Sequence, residues 1–251
     1  MAIIYLLIFM MGASVFSFLN VLIYRVPRKM NYVSGRSMCP SCEHELNFLD
    51  MVPVFGWIFL GGKCRYCKEK ISSRYMLIEA LGGGFSVYFF YLYKWSIQTL
   101  FVFVLFALLT LIAFVDIDTM EIPNGFVVFG LLLSLVSWVL FPGLMWYERI
   151  IGIFSAALIL LIITLIVPGA FGGGDIKMMA AFGILLGWKM SLLALFLAVL
   201  MGGIYGIVLL IRKKVNRKDH FAFGPFLCIG VGAAFLWGGE ILRVYLSIWS
   251  L

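Results

Sequence analysis

Two short segments of the chain place aspartates beside long apolar runs. Asp116 lies at the end of one run, and Asp175 follows three consecutive glycines at the start of another. Ionisable side chains are costly at membrane depth, so their presence there indicates function. Two carboxyl groups that share one proton hydrolyse peptides: the ionised group takes a proton from water, and the protonated group donates one to the scissile carbonyl. The two aspartates therefore predict an aspartic peptidase site.

Asp116 is a better candidate than Asp118 for the first carboxyl group. If the helix continues, residues two apart point about 200° apart, so only one of them faces a neighbouring helix. The residues alone leave simpler interpretations open. Asp175 suits the N-cap of the following helix, and Asp116, Asp118 and Glu121 suit a solvated loop end. The glycines before Asp175 remove side chains where the backbone or a substrate strand must approach closely.

Four of the five cysteines form two Cys-x2-Cys pairs at a spacing close to that of a four-thiolate zinc ribbon. They are Cys39, Cys42, Cys64 and Cys67. Four thiolates fill a tetrahedral site, which predicts structural rather than catalytic zinc. Disulfides or redox-active pairs are the alternative, and a cytoplasmic location argues against disulfides. Cys228 lies in an apolar run and is interpreted as a small buried hydrophobe.

The composition places these residues in a membrane protein. Of the 251 residues, 64% are hydrophobic and 12% are charged, against about 25% charged in soluble domains. The apolar residues fall in runs of about the length that crosses 30 Å of hydrocarbon. Eight helical spans are predicted, at about 2–24, 76–93, 97–115, 124–141, 150–167, 176–188, 190–211 and 223–248. The first is expected to be a retained span rather than a cleaved signal peptide, and the short sixth one to be tilted, broken or re-entrant.

The lysines and arginines predict the topology. Most of the 19 lie in two segments that flank apolar runs, 25–74 and 212–218, and basic flanks mark the cytoplasmic side. The net charge of +7 therefore indicates topology and not a nucleic-acid partner. Alternate threading places both aspartates at the cytoplasmic face. The predicted fold is an all-α polytopic membrane protein with about eight transmembrane helices and a small cytoplasmic zinc-ribbon-like insert.

The motifs together resemble the type IV prepilin peptidases, which are bifunctional leader peptidases and N-methyltransferases. Gly172 to Asp175 resembles the second catalytic motif of that family, and Asp116 with Ile122-Pro123-Asn124 resembles the first. The resemblance covers roughly residues 10–250 and includes the cysteine pairs. Further matching residues are Gly12, Asn20, Arg25, Pro27, Asp50, Pro53, Trp57, Arg74, Tyr75 and Glu79. Met76 and Gly56 depart from the family, which usually has proline and often serine there.

The resemblance implies a bifunctional enzyme. The peptidase would cleave a type IV prepilin or pseudopilin after a glycine, at the cytoplasmic face, with Asp116 and Asp175 as the catalytic pair. The enzyme would then methylate the new N-terminus from S-adenosylmethionine. Residues 1–95 would belong to methyl transfer and 96–251 to peptidase activity. Because no Gly-x-Gly-x-x-Gly motif follows a strand, Asn20 and Glu79 are the only candidates for the donor site, and each also suits a purely structural role between spans.

Two other functions fit part of the pattern. Broken spans and buried carboxylates also mark ion paths, so a transporter or channel with a regulatory zinc ribbon is one alternative. A presenilin-like intramembrane protease without methyltransferase activity is another. Neither explains as many residues, because no internal repeat supports a transporter and a protease alone leaves the basic cysteine insert unexplained.

Overall fold

The structure is a computed structural model that describes residues 2–31, 38–39, 41–212 and 221–249. Within these ranges the chain is helical, and the only β-type pairings are two isolated bridges in the cysteine-bearing insert. The helices are α1 (Ala2–Arg25), a 3-10 turn (Phe48–Met51), α2 (Phe55–Phe59), α3 (Ser73–Tyr93), α4 (Ile97–Thr119), α5 (Asn124–Leu140), α6 (Trp146–Ile166), α7 (Gly173–Ile211) and α8 (Gly224–Trp249). The predicted all-α class is confirmed.

Six of the described helices are long and apolar enough to cross a membrane: α1, α3, α4, α6, α7 and α8. The 17-residue α5 is shorter. The predicted sixth and seventh spans both fall within α7, whose backbone leaves the helical conformation at Gly187. Of the predicted cytoplasmic basic segment, Lys213, Lys214, Arg217 and Lys218 lie outside the described residues, as does Arg36 of the insert.

The chain forms two compact units, residues 1–107 and 108–251. In the first unit, α1 packs against α3 through glycines. A Cβ on Gly12 would overlap the carbonyl of Gly82, and one on Gly82 would overlap the ring of Phe16. The hydroxyl of Ser86 donates a 2.8 Å hydrogen bond to the carbonyl of Ile8. Small residues let membrane helices approach to backbone contact, which explains why these positions lack side chains.

In the second unit, α7 reverses direction at Gly187. A straight helix of 39 residues would be about 58 Å long, yet residues near both of its ends meet the same side chain. The ring of Phe171 lies 4.9 Å from that of Phe223, and a Cβ on Gly202 would lie 2.9 Å from Phe223. The φ of 70° at Gly187 is a conformation that favours glycine. The turn therefore returns the second half of α7 to the end from which the first half started.

Arg149 fixes the end of this unit near the turn. Its side chain is 1% exposed and donates hydrogen bonds to the Ser137 hydroxyl at 3.0 Å and to the carbonyls of Phe141 and Ile184 at 2.6 and 3.2 Å. These acceptors lie near the carboxyl ends of α5 and of the first half of α7, where helix dipoles favour a cation. The sequence alone does not distinguish Arg149, because a single basic residue near the start of an apolar run is ordinary at a membrane interface.

Candidate active site

Asp116 lies in the last two turns of α4 and is 5% exposed. Its Oδ2 accepts a 2.8 Å hydrogen bond from the backbone N–H of Gly224, the first residue of α8. The first backbone N–H groups of a helix have no partner within that helix, so they are available to a carboxylate. The helix continues past Asp116 to Thr119, and Asp118 is exposed. The expectation that only one of the two aspartates faces the protein interior is therefore confirmed, and it is Asp116.

Asp175 lies in the first turn of α7 and is 7% exposed. Its Oδ2 accepts a 3.0 Å hydrogen bond from the backbone N–H of Gly172. The N-cap interpretation of Asp175 is wrong in detail, because Gly172 occupies the N-cap and Asp175 stands three residues later. The carboxyl group still bonds to the N-cap backbone, as the acidic member of a capping box does.

The two carboxyl groups are close enough to interact electrostatically. They come from α4 and α7, which place them at one end of the second unit. Among the described residues, the hydrogen bonds to each carboxyl group involve Oδ2, and the donor in each case is a backbone N–H. A backbone donor cannot rotate away as a side chain can, so each carboxyl group is held in a fixed orientation.

At two of the glycines of this site a side chain would collide with a neighbouring residue, and at a third it would not. A Cβ on Gly224 would lie 2.7 Å from Oδ2 of Asp116, and one on Gly174 would lie 2.9 Å from Cβ of Ile122. A Cβ on Gly173 would meet nothing within 4 Å. The predicted need for small residues before Asp175 therefore applies most strongly to Gly174. Lys177, two residues further along α7, donates a 3.1 Å hydrogen bond to Oδ1 of Asn124.

Two residues near the aspartates were not recognised in the sequence. Gly224 holds Asp116, and the thiol of Cys228 interacts electrostatically with both carboxyl groups. Cys228 is buried, as expected, and it lies next to the site rather than in a remote part of the apolar core. The signal that would have revealed both is the Gly-Pro step at 224–225, which is typical of a helix start and lies on the predicted cytoplasmic side.

The two cysteine pairs form matching turns in the first unit. The N–H of Cys39 donates to the carbonyl of His44 at 3.0 Å, and the N–H of Glu43 donates to the carbonyl of Cys39 at 2.9 Å. The equivalent bonds of the second pair are Cys64 to Glu69 at 2.9 Å and Lys68 to Cys64 at 3.1 Å. In each turn the residue after the second cysteine has a positive φ, 55° at Glu43 and 63° at Lys68. The repeated geometry points both thiols of each pair towards one centre.

The four thiols fit a tetrahedral metal ion. A Zn–S bond of about 2.3 Å gives S···S edges of about 3.8 Å. The Sγ atoms of Cys39 and Cys67 are 3.8 Å apart, and all four Sγ atoms lie within 4.8 Å of one another. All five cysteines of the chain lie among the described residues and are free, which excludes disulfides in this structure. The residues present therefore suit the predicted structural zinc.

The two turns are also linked by side chains. The rings of His44 and Tyr66 lie 3.6 Å apart, and Nδ2 of Asn47 donates a 3.1 Å hydrogen bond to the Tyr66 hydroxyl. Arg65 forms a 2.6 Å ion pair with the buried carboxylate of Asp50, which raises the pKa of the arginine. These links join the segment around the first pair to the segment around the second.

The thiol pKa values show what a cation would supply. Burial raises the pKa of Cys39, but hydrogen bonds from the Ser41 and Cys42 backbone and from the Cys42 and Cys64 thiols lower it to about 7. A backbone hydrogen bond from Glu69 lowers the pKa of Cys67, but desolvation and the neighbouring thiols raise it to about 12. The Cys39 thiol thus ionises more readily than the Cys67 thiol. A divalent cation supplies the positive charge that lets all four thiols ionise.

The candidate donor-site residues connect elements of the first unit. Nδ2 of Asn20 donates a 3.2 Å hydrogen bond to the carbonyl of Tyr75, which joins α1 to α3. Oε2 of Glu79 accepts a 2.7 Å hydrogen bond from the backbone N–H of Val54, which joins α3 to the insert. Both contacts match the structural role that the sequence left open.

A helical membrane protein with two buried carboxyl groups at one end of its helices has the arrangement of a membrane-embedded aspartic peptidase. Two family models match the chain: the bacterial peptidase A24 N-terminal domain over residues 10–93, and the type IV leader peptidase family over residues 103–207. A prepilin leader peptidase/N-methyltransferase of Bacillus subtilis is 30% identical over 250 residues, covering 96% of this chain and 98% of the relative. The chain belongs to the type IV leader peptidase family.

Further relatives carry the same name. One from Aeromonas salmonicida is 31% identical and covers 96% of this chain and 93% of its own length. One from Pseudomonas aeruginosa is 29% identical and covers 95% and 92%. No solved structure matches the chain. The protein is thus an enzyme of an aspartic peptidase family and a multi-pass inner-membrane protein, which decides against the transporter or channel.

Proposed function

We propose that this enzyme removes the leader peptide of a type IV prepilin or pseudopilin by cleavage after a glycine, with Asp116 and Asp175 as the catalytic pair. The observation that carries the proposal is the pair itself: two buried carboxyl groups, each oriented by one backbone N–H, from segments that meet where the rings of Phe171 and Phe223 lie 4.9 Å apart. The names of the relatives supply the substrate class.

The proposed reaction is general acid–base hydrolysis. The ionised carboxyl group removes a proton from water, whose oxygen then attacks the scissile carbonyl, while the protonated carboxyl group donates its proton to the carbonyl oxygen. The tetrahedral intermediate collapses when its C–N bond breaks: the leaving amine takes the proton that came from water, and a hydroxyl of the intermediate returns its proton to the other carboxyl group, which restores the singly protonated pair. The bonds from Gly224 and Gly172 hold Oδ2 of each aspartate, which presents the other oxygen to water and substrate.

The proposed site faces the cytoplasm, at the membrane boundary. Both aspartates lie in terminal turns of apolar helices, Asp116 in α4 and Asp175 in α7. The basic insert and the basic segment after α7 support the cytoplasmic assignment through the charge bias of membrane proteins. A scissile bond at this depth would directly precede the apolar segment that anchors the substrate in the bilayer.

The second proposed activity is methylation of the new N-terminus, with S-adenosylmethionine as the methyl donor. It is supported by the N-terminal family model over residues 10–93 and by the names of the relatives. We assign it to residues 1–95. Zinc bound by Cys39, Cys42, Cys64 and Cys67 would hold the insert folded, since metal binding contributes folding free energy to small domains.

The peptidase proposal is tested with Asp116→Asn and Asp175→Asn, and with Asp118→Asn as the matched control. Purified variants in detergent are given a prepilin, and the shortened product is measured by mass spectrometry. Each of the first two variants should lose cleavage while elution volume and zinc content stay unchanged, and the control should cleave normally. Loss of activity in Asp118→Asn with retention in Asp116→Asn would overturn the assignment of the first carboxyl group.

A further inference from the structure

A cavity of about 410 Å³ lies beside the candidate catalytic pair, in the second unit. One side is the second half of α7, and the other is formed by the segments that lead into α7 and α8. Glycine, alanine, aliphatic and phenylalanine residues line it, including Phe171, Phe221, Phe223, Gly202, Gly203 and Gly206. We call this cavity the apolar groove. It does not include either aspartate.

The apolar groove is continuous with the residues that hold the carboxyl groups. Phe171 directly precedes Gly172, whose N–H binds Asp175, and Phe223 directly precedes Gly224, whose N–H binds Asp116. The two rings are 4.9 Å apart at an interplanar angle of 55°. The same short backbone segments therefore hold the carboxyl groups and contribute one aromatic ring each to the groove wall.

The floor of the groove is one face of the second half of α7, and the middle of that face carries glycines in place of large side chains. Val199, Gly203, Gly206 and Leu210 are spaced by four, three and four residues, which places them on one side of α7. The distance along the helix from Val199 to Leu210 is about 16 Å at 1.5 Å per residue. A Cβ on Gly203 would meet nothing within 4 Å, so the floor is open at its middle.

We propose that the apolar groove binds the apolar segment of the substrate that follows the scissile bond. The proposal rests on the proposed peptidase function and names the structural basis of its substrate preference. A chain whose scissile peptide lies between the carboxyl groups passes Phe171 and Phe223 as it leaves them. An apolar lining favours an apolar chain, and a glycine floor lets a helix backbone approach closely, as small residues do between membrane helices.

The test uses Gly203→Leu, which adds a side chain to the open middle of the groove. Gly239→Leu is the matched control, because Gly239 is also a helical glycine with nothing within 4 Å of a Cβ and lies in α8, away from the groove. Each variant is assayed on a full prepilin and on a short peptide that ends a few residues after the scissile glycine. Gly203→Leu should raise KM for the full prepilin at least tenfold with little change in kcat, and should leave the short peptide unaffected.

A binding experiment separates this proposal from the peptidase proposal. A prepilin with a photoreactive benzophenone in its apolar segment is irradiated with the Asp175→Asn variant, and cross-linked residues are mapped by mass spectrometry. Cross-links at 199–210 or at Phe221 and Phe223 support the groove even if the unmodified enzyme proves unable to cleave. If the unmodified enzyme cleaves the prepilin but no such cross-links form, the groove proposal is overturned and the peptidase proposal stands.

Two further outcomes would also overturn the proposal. In one, Gly203→Leu impairs the full prepilin and the short peptide equally, which would indicate a distorted catalytic pair. In the other, the groove is labelled by a photoreactive phospholipid and not by the prepilin, and Gly203→Leu leaves KM unchanged. The groove would then hold a lipid acyl chain.

Discussion

The backbone N–H of Gly224 donates a 2.8 Å hydrogen bond to Oδ2 of Asp116 across 108 positions of sequence. The contact joins the end of α4 to the start of α8. It means that the orientation of one candidate catalytic group depends on the placement of a helix start far along the chain. Asp175 has no equivalent dependence, since its donor, Gly172, is only three residues away.

Gly224→Ala should lower kcat for leader cleavage by roughly 10- to 100-fold and change KM little. The added Cβ would lie 2.7 Å from Oδ2 of Asp116, so the hydrogen bond to the carboxyl group would be distorted, and bonds to charged groups contribute about 1.5–3 kcal/mol. Steady-state kinetics on a prepilin measure the effect, with Gly239→Ala in α8 as the control. Full activity of Gly224→Ala would show that Asp116 does not need this donor.

Gly174→Ala should impair cleavage more than Gly173→Ala does. The new methyl group at 174 would press on Cβ of Ile122, which cannot rotate away because it is attached directly to the backbone, whereas the one at 173 would meet open space. Both variants replace one glycine of the same run by alanine, so the comparison is matched. Equal losses in the two would point to backbone flexibility, and not to close approach, as the reason for the glycines.

Cys39→Ser should reduce zinc from about one ion per chain to a small fraction of that after dialysis against a mild chelator. Three thiolates leave the tetrahedral site incomplete. Cys228→Ser is the control, because it removes the one cysteine outside the cluster. Metal is measured by mass spectrometry and free thiols by titration under reducing conditions. Unmodified protein with no zinc and five titratable thiols would contradict the zinc site.

Asp175→Asn should retain methyl transfer to a prepilin that has already been cleaved. The variant changes only a candidate proton-transfer group of residues 96–251, whereas the methyltransferase is assigned to residues 1–95. Transfer of a labelled methyl group from S-adenosylmethionine is measured. If a folded variant that binds the cleaved substrate transfers no methyl group, one shared site becomes the better account.

Arg149→Met should lower the midpoint of thermal unfolding in detergent and spare cleavage at room temperature. The variant leaves the carbonyls of Phe141 and Ile184 without their donor, and each buried polar group without a partner costs about 1–3 kcal/mol. Arg149 lies near the Gly187 turn, away from the aspartates. Arg243→Met in α8, at an exposed position, is the control. An unchanged midpoint would mean that removing the desolvation cost of the buried guanidinium offsets the loss of its hydrogen bonds.

Local sequence patterns were sufficient to predict most of the helices and the two aspartates. Apolar runs of membrane length identified the spans, and helical periodicity favoured Asp116 over Asp118, which the structure places inside and outside respectively. The cysteine spacing predicted a cluster whose sulfur atoms lie within 4.8 Å of one another. The catalytic roles of the aspartates stay predictions.

Features that depend on contacts distant in sequence were not predicted. The bond from Gly224 to Asp116 and the position of Cys228 beside both carboxyl groups require α8 to be placed against α4, which periodicity does not specify. The turn between the sixth and seventh spans was expected at 188–189 and occurs at Gly187. The turn itself was therefore predicted to within two residues, whereas the contacts of Phe223 with Phe171 and with the position of Gly202 were not.

The reversal at Gly187 places Asp175 and the open floor at Gly203 on a single hairpin of the chain. Residues 173–211 therefore carry one candidate acid and the helical floor of the groove, whereas Asp116 and the rings of Phe171, Phe221 and Phe223 lie outside them. Recombination between relatives at the two ends of this hairpin would exchange the acid and the floor together. A crossover at the turn itself would combine the acid of one parent with the floor of another, so the two halves of the hairpin would come from different ancestors.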